Sequence, residues 1–285
     1  MSSPSALVGR RIAQMNGAGN KILVLDLRGG GATPSPAEAR AINRAPGLDY
    51  DQLMMLTDPR RTDTLANVLI YNNDGSLAGA CGNGTRCVAD RLARETGAVA
   101  LAIETERGVI LCERLGQSTY RVDMGPPRLS WSEIPLARAV QDTSAVDIPE
   151  AGGFGLAGLV NMGNPHAVFF VIDVAAIDID RAGPRLEHHP LFPEKANISF
   201  AQVLAPDRVR LRVWERGVGA TLACGSAACA TLVAAARRGL TGRKAAIELP
   251  GGELIIEWSE DDHVRMTGPV EFEREIELTS AILAA

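Results

Sequence analysis

The feature that most limits how this chain can fold is a repeat. Gly19-Asn20 is matched by Gly163-Asn164, Cys81-Gly82 by Cys224-Gly225, and Met124-Gly125-Pro126 loosely by Met266-Thr267-Gly268-Pro269. The spacings nearly coincide: 61 positions from Asn20 to Cys81 against 60 from Asn164 to Cys224, then 44 from Cys81 to Gly125 and 44 from Cys224 to Gly268. Ala102-Ile103-Glu104 and Gly108 recur as Ala246-Ile247-Glu248 and Gly252, at an offset of 144. Each pair alone is ordinary turn sequence that recurs by chance. Ordered matches in five places read instead as an internal duplication of one structural plan.

Local patterning supports that reading. Lys21 to Leu27 is a Leu-rich, β-branched run that predicts a buried strand, and a Gly-rich loop then leads to Ser35-Pro36-Ala37-Glu38, a capping-box helix start. Asn67 to Tyr71 reads as a strand and Thr85 to Thr96 as a helix stopped by Gly97. Strands follow at Val99 to Thr105, Val109 to Arg114 and Thr119 to Met124. The second half repeats the order. Ser226 to Arg238 predicts a helix ending at Gly239, Ala-rich on nearly all sides and therefore placed deep in its domain. Strands are expected at Ala245 to Leu249, Leu254 to Trp258 and His263 to Met266.

Cys81 and Cys224 thus share one structural place, a turn immediately before a helix. The first amides of a helix lack intrahelical partners and its dipole is positive there, so an anion is favoured and a thiol is expected to ionise easily. Gly82, Gly84 and Gly225 let amides approach a ligand, making each turn a candidate carboxylate nest. If the halves face each other across a cleft, two thiols suit stereoinversion at a carbon acidified by its own carboxylate. One group removes a proton from one face and the other delivers a proton to the opposite face, which a single base cannot easily do.

Composition narrows the alternatives. The 285 residues can bury one large core or two moderate ones, and 46% apolar with 22% charged content describes a globular chain. A net charge of −5 argues against nucleic acid as a partner. There is no apolar run of about 18 residues that could span a bilayer, and residues 1–11 lack the apolar stretch of a secretion signal, which predicts a cytoplasmic chain without membrane partners. In that compartment the odd set Cys81, Cys87, Cys112, Cys224 and Cys229 is expected as thiols.

Asn72-Asn73-Asp74-Gly75-Ser76, Cys81-Gly82-Asn83-Gly84-Thr85-Arg86-Cys87, Gly163-Asn164-Pro165-His166, and Trp214-Glu215-Arg216-Gly217 before Ala223-Cys224-Gly225-Ser226 together closely resemble diaminopimelate epimerase, almost end to end. The resemblance implies interconversion of LL- and meso-diaminopimelate in lysine and peptidoglycan-precursor biosynthesis, with a small-molecule substrate and neither pyridoxal phosphate nor metal. It implies an α/β (α+β) fold of two pseudo-symmetric domains, each wrapping strands round a central helix, with the active site in the cleft. The expected domains are 1–125 plus 270–285, carrying Cys81, and 126–269, carrying Cys224. By motif position Cys81 and Cys224 become the acid/base pair, with His166 and Glu215 as polarising neighbours. Asn20, Asn72, Asn164, Asn197 and Arg216, with Glu215, fall where the family holds the distal amino-acid group. Gly82, Asn83, Gly225 and Ser226 fall where amides receive the reacting carboxylate. A homodimer is compatible with the sequence but not specified by it.

This chain departs from the family's commoner residues at Asn16, Lys21 and Ile22, where His, Asp and Phe are more usual, at Ala220 for Glu, and at Ala167 for Cys. Plainer readings exist for each residue. A lone Cys at a helix start is more often a small buried residue, and Cys87, Cys112 and Cys229, inside predicted elements, keep that reading. Glu215-Arg216 could be a surface ion pair, and His188-His189 reads as solvated surface. A structural zinc site of Cys81, Cys87, Cys224 and Cys229 is disfavoured by the spacing within each pair. A proline racemase or hydroxyproline epimerase is disfavoured because those enzymes usually carry Cys-Gly-His-Gly where this chain has Cys81-Gly82-Asn83-Gly84.

Overall fold

The computed structural model describes residues 5–79, 81–149 and 152–284. The chain divides into two compact units: one runs to Val122 and resumes at Gly268, the other is Asp123–Thr267. The first unit contains β1 (Arg11–Gly17), β2 (Asn20–Asp26), α1 (Pro36–Arg44), β3 (Gln52–Thr57), β4 (Ala66–Asn72), α2 (Gly82–Thr96), β5 (Ala100–Thr105), β6 (Gly108–Arg114) and β7 (Thr119–Asp123). The second contains β8 (Ala157–Asn161), β9 (Pro165–Phe170), α3 (Ile179–Glu187), β10 (Asn197–Ala205), β11 (Arg208–Glu215), β12 (Gly219–Thr221), α4 (Gly225–Arg237), β13 (Lys244–Leu249), β14 (Gly252–Trp258) and β15 (Val264–Pro269). The chain then adds β16 (Glu271–Glu277) beside β1 and ends in α5 (Ser280–Leu283).

The two units pair their strands by one rule. Along β1 to β7, successive neighbours are antiparallel, parallel, antiparallel, parallel, antiparallel and antiparallel. Along β8, β9, β10, β11, β13, β14 and β15 the same six relations recur in the same order. The helices obey the rule too: α1 and α3 connect the first parallel pair of each unit, α2 and α4 the second. The duplication read from five sequence landmarks is therefore a duplication of topology.

Each repeat buries its second helix. In α4 every residue from Ala227 to Ala235 is buried, as an Ala-rich surface with no polar stripe requires, because small side chains let strands approach from several directions. α2 is less apolar but still buries Cys87, Val88, Ala89, Leu92 and Ala93, and it binds its buried Asp90 to Tyr120 of β7 at 3.1 Å. Cys112 of β6 and Cys229 of α4 are buried as well, so these thiols and Cys87 pack as core residues. α1 begins with the expected capping box: Glu38 N–H donates to Ser35 Oγ, and Ser35 N–H to Glu38 Oε2 at 2.8 Å.

One helix start differs from the expectation. α2 begins at Gly82, three residues before the predicted Thr85, because Gly82-Asn83-Gly84 carries poor intrinsic helix propensity and tertiary packing overrides it. The stop was legible: Gly97 adopts the left-handed conformation at φ 73° and caps α2. Among the described residues no helix is long and apolar enough to cross a membrane.

Gly84 shows what the packing demands. A Cβ built there would lie 2.5 Å from the Met54 sulfur of β3, so only a residue without one lets α2 seat on that strand. Gly84→Ala is expected to destabilise the protein by roughly 1–3 kcal/mol, the usual cost of overpacking, measured as a lower urea midpoint at unchanged slope.

Candidate active site

Cys81 and Cys224 are the N-cap residues of α2 and α4, both in extended backbone conformation. This is the position the sequence predicts, and it aims each sulfur at the unpartnered amides of its helix. The two caps differ in chemistry. Cys81 Sγ accepts the Gly84 N–H at 3.2 Å and donates its own S–H to Gln52 Oε1 on β3 at 3.4 Å. Cys224 closes no capping hydrogen bond; the Ala227 amide only faces it, and Ser226 Oγ lies 3.5 Å from the sulfur.

Around Cys81 the first unit gathers carboxamides. Asn20, at the start of β2, donates to Asp51 Oδ2 at 3.2 Å and accepts from Asn83 Nδ2. Asn20 and Asn83 are both buried, so this bond fixes the second residue of α2 against the β1–β2 turn. Asn72 ends β4 directly opposite Gln52 in the strand register, and its own amide donates to Ser76 Oγ at 3.1 Å.

In the second unit the Cys224 thiol has Glu215 as a charged neighbour, and the remaining motif residues lie on or beside β9 to β11. His166 of β9 is fully buried, with Nε2 2.9 Å from Asn164 Oδ1. Its register partner on β10 is Asn197, which donates to the Pro165 carbonyl at 3.0 Å and accepts the Arg216 N–H at 3.0 Å. Glu215 ends β11, and Thr221 Oγ1 donates to its Oε1 at 2.6 Å. The Arg216 guanidinium is turned onto the Glu194 carbonyl at 2.9 Å.

The expectation that a helix-start cysteine ionises easily is corrected for Cys224. Burial pushes its thiol well above the usual value, and the adjacent negative Glu215 raises it further, outweighing the opposite pull of Ser226. The helix end supplies partial charge, whereas desolvation of a whole thiolate costs more. Cys224 therefore rests as a neutral thiol.

The repeat reveals a residue that motif reading missed. Asn20 and Asn164 introduce β2 and β9, Asn72 and Glu215 end β4 and β11, and Cys81 and Cys224 cap α2 and α4. The corresponding start of β10 is Asn197, and its mate at the start of β3 is Gln52. Its offset of 145 from Asn197 is one more than the 144 that relates Asn20 to Asn164, a correspondence that appears only once β3 and β10 are placed. The departures from commoner family residues fall to the side of these contacts. Asn16 Oδ1 accepts the Gly19 N–H at 2.8 Å, Lys21 reaches Asp49 at the surface, Ile22 is core, and Ala220 is exposed on β12. Glu215 is bound by Thr221 and Arg216 by the Glu194 carbonyl, so both side chains are tied into the second unit.

This arrangement, two repeats of one topology each burying a central helix, is a fold shared with several solved proteins. The same fold is seen in a hydroxyproline epimerase from Agrobacterium vitis, at a TM-score of 0.66 and 14% identity over 94% of this chain and 92% of that one. It is seen also in a phenazine biosynthesis protein of the PhzF family from Enterococcus faecalis, at a TM-score of 0.66 and 13% identity over 94% and 98%. Sequence is more specific than fold here. The diaminopimelate epimerase profile matches residues 12–130 and 158–273. The diaminopimelate epimerase of Methylocella silvestris is 55% identical over 98% of both chains, and that of Methylobacterium sp. is 53% identical over 98% of this chain and 99% of that one. This chain belongs to the diaminopimelate epimerase family and is an isomerase.

Because Glu215 is a negative neighbour that holds the Cys224 proton, Glu215→Gln should lower the pH at which Cys224 becomes reactive. Alkylation of Cys224 followed by mass spectrometry across about pH 7 to 10 should show a midpoint displaced downward in the variant. An unmoved midpoint contradicts the electrostatic role of Glu215.

Proposed function

We propose that this chain interconverts LL- and meso-diaminopimelate without a cofactor, using Cys81 and Cys224 as a two-thiol acid/base pair, and so serves lysine and peptidoglycan-precursor synthesis. The observation that carries the reading is the duplicated N-cap: equivalent turns of two equivalent units each end in a cysteine set among amides and carboxamides. Family membership supplies the substrate, through the names of relatives more than 50% identical over nearly the whole chain.

The resting chemistry gives the pair a direction. Cys224 is held as a thiol by burial and by Glu215, which suits it as the proton donor. Cys81 accepts a backbone N–H, a bond that strengthens when the sulfur is a thiolate, which suits it as the base once the proton it donates to Gln52 Oε1 has left. The Cys81 thiolate takes the α-hydrogen as a proton, and the electron pair of the broken C–H bond passes into the α-carboxylate. The first-turn amides, including those of Gly82, Asn83, Gly225 and Ser226, stabilise the charge that grows there. Cys224 then delivers its proton to the opposite face of the carbon. The configuration is inverted, Cys81 is left as a thiol and Cys224 as a thiolate, and the reverse reaction restores the start.

The distal amino-acid group of a symmetric diamino-diacid needs a guanidinium for its carboxylate and acceptors for its ammonium. Arg216 would meet the first need, and Asn20, Asn72, Asn164 and Asn197 carry both donors and acceptors for the second.

Cys81→Ala and Cys224→Ala should each lower turnover of LL-diaminopimelate by at least about 10²-fold, the low end for loss of a positioned acid or base, while circular dichroism and the thermal midpoint stay near wild type. Turnover close to wild type in either variant overturns the two-thiol mechanism. In deuterated water the product should carry solvent deuterium at the inverted carbon; retained hydrogen would indicate a single shuttling base. Proline and hydroxyproline serve as control substrates and should remain unconverted.

A further inference from the structure

Trp214-Glu215-Arg216-Gly217 is bracketed by one buried carboxylate that has no part in the proton transfers. Glu187, the last residue of α3, is 3% exposed. Its Oε2 accepts the Trp214 indole N–H at 2.8 Å and its Oε1 accepts the Gly217 backbone N–H at 2.9 Å. These donors stand immediately before and after Glu215-Arg216. The Lys195 ammonium is 3.9 Å from Oε1, within ion-pair range but beyond hydrogen-bond distance. α3 also makes room for the tryptophan: a Cβ at Gly183 would lie 2.4 Å from the indole ring, so only glycine lets Trp214 lie flat against that helix.

A buried carboxylate is costly unless it is fully hydrogen-bonded, so its presence calls for a reason. The fold by itself supplies none, because the first unit builds the same supersecondary structure without it. α1 and α3 are both nine residues long at an offset of 143, and this places Arg44 where the second unit has Glu187. The same offset places Tyr71 where it has Trp214, and Tyr71 spends its hydroxyl on the Pro34 carbonyl at 3.1 Å. The clamp is therefore specific to the repeat that carries Glu215 and Arg216.

We propose that Glu187 is a positioning residue for the reaction: by gripping Trp214 and Gly217 it fixes the Glu215-Arg216 dipeptide, so that Glu215 stays beside Cys224 while Arg216 is presented to the substrate's distal carboxylate. This inference rests on the function proposed above. Asn197 adds a third point of attachment at the Arg216 N–H, which leaves the dipeptide held along its whole backbone. Displacement of a positioning group by even 1 Å is expensive in catalysis, which is the reason such a clamp repays a buried charge.

The test uses Glu187→Gln and Trp214→Phe in the full chain. The glutamine is isosteric but keeps one acceptor oxygen, so its amide N–H faces the other donor. The phenylalanine keeps the ring on Gly183 and removes the indole donor. Two measurements are made: steady-state kinetics with LL-diaminopimelate, and amide hydrogen exchange of the peptide spanning residues 213–218 without substrate. Glu187→Gln is expected to raise KM by about tenfold or more, with a smaller fall in kcat, and to speed exchange in that peptide while the α4 core stays protected. Trp214→Phe should act in the same direction and more weakly, because the Gly217 bond survives. A lowered thermal midpoint with KM, kcat per folded molecule and local exchange all within about twofold of wild type would make Glu187 a purely structural residue and overturn the proposal. Wild-type protein inactive on diaminopimelate would instead refute the proposed function. The exchange measurement would still decide whether Glu187 holds the dipeptide.

Discussion

The N-terminus of a buried helix is the constraint from which the rest of this structure follows. Four amides at such an end have no partner within the helix, and in the interior water cannot satisfy them. Each unit starts its central helix with a cysteine followed by glycine; the Cys81 sulfur takes the Gly84 amide, while Cys224 closes no capping bond. What serves as a cap in folding becomes a place where a carboxylate is welcome. The surrounding strands give the helix a fixed seat, so the sulfur is held by the core rather than by a loop.

The two units solve this problem with different polarity. The partners of the Cys81 sulfur are neutral: the Gln52 carboxamide and the Gly84 amide. Around Cys224 they include Glu215, and burial is more complete, so that thiol keeps its proton. A duplicated scaffold thus carries two cysteines at equivalent positions in unlike surroundings. The buried Glu187 belongs to the same divergence. It occurs only in the repeat whose hairpin bears charged site residues, and it ties that hairpin to α3 through Trp214 and Gly217.

Much of the fold and site was legible because repetition turns weak local signals into strong ones. A Cys-Gly pair means little alone, yet two at matched distances from Asn20 and Asn164 locate two helix starts. Gly97, the Ser35 capping box and the Ala-rich run from Ala227 to Ala235 were readable because each acts within one or two helical turns. Gln52 was missed: a glutamine before Leu53-Met54-Met55-Leu56 has no local mark of function and gains it only by standing opposite Asn72 and beside Cys81.

Sequence by itself determined the duplication, the position of each cysteine at a helix start and the burial of α4, because these depend on spacing and periodicity along the chain. Tertiary structure alone decided that Cys224 keeps its proton, that Gln52 joins Cys81, and that Glu187 brackets Glu215-Arg216. Those outcomes depend on desolvation and on contacts between residues about 10 to 30 positions apart, and neither has a signature in the local order of residues.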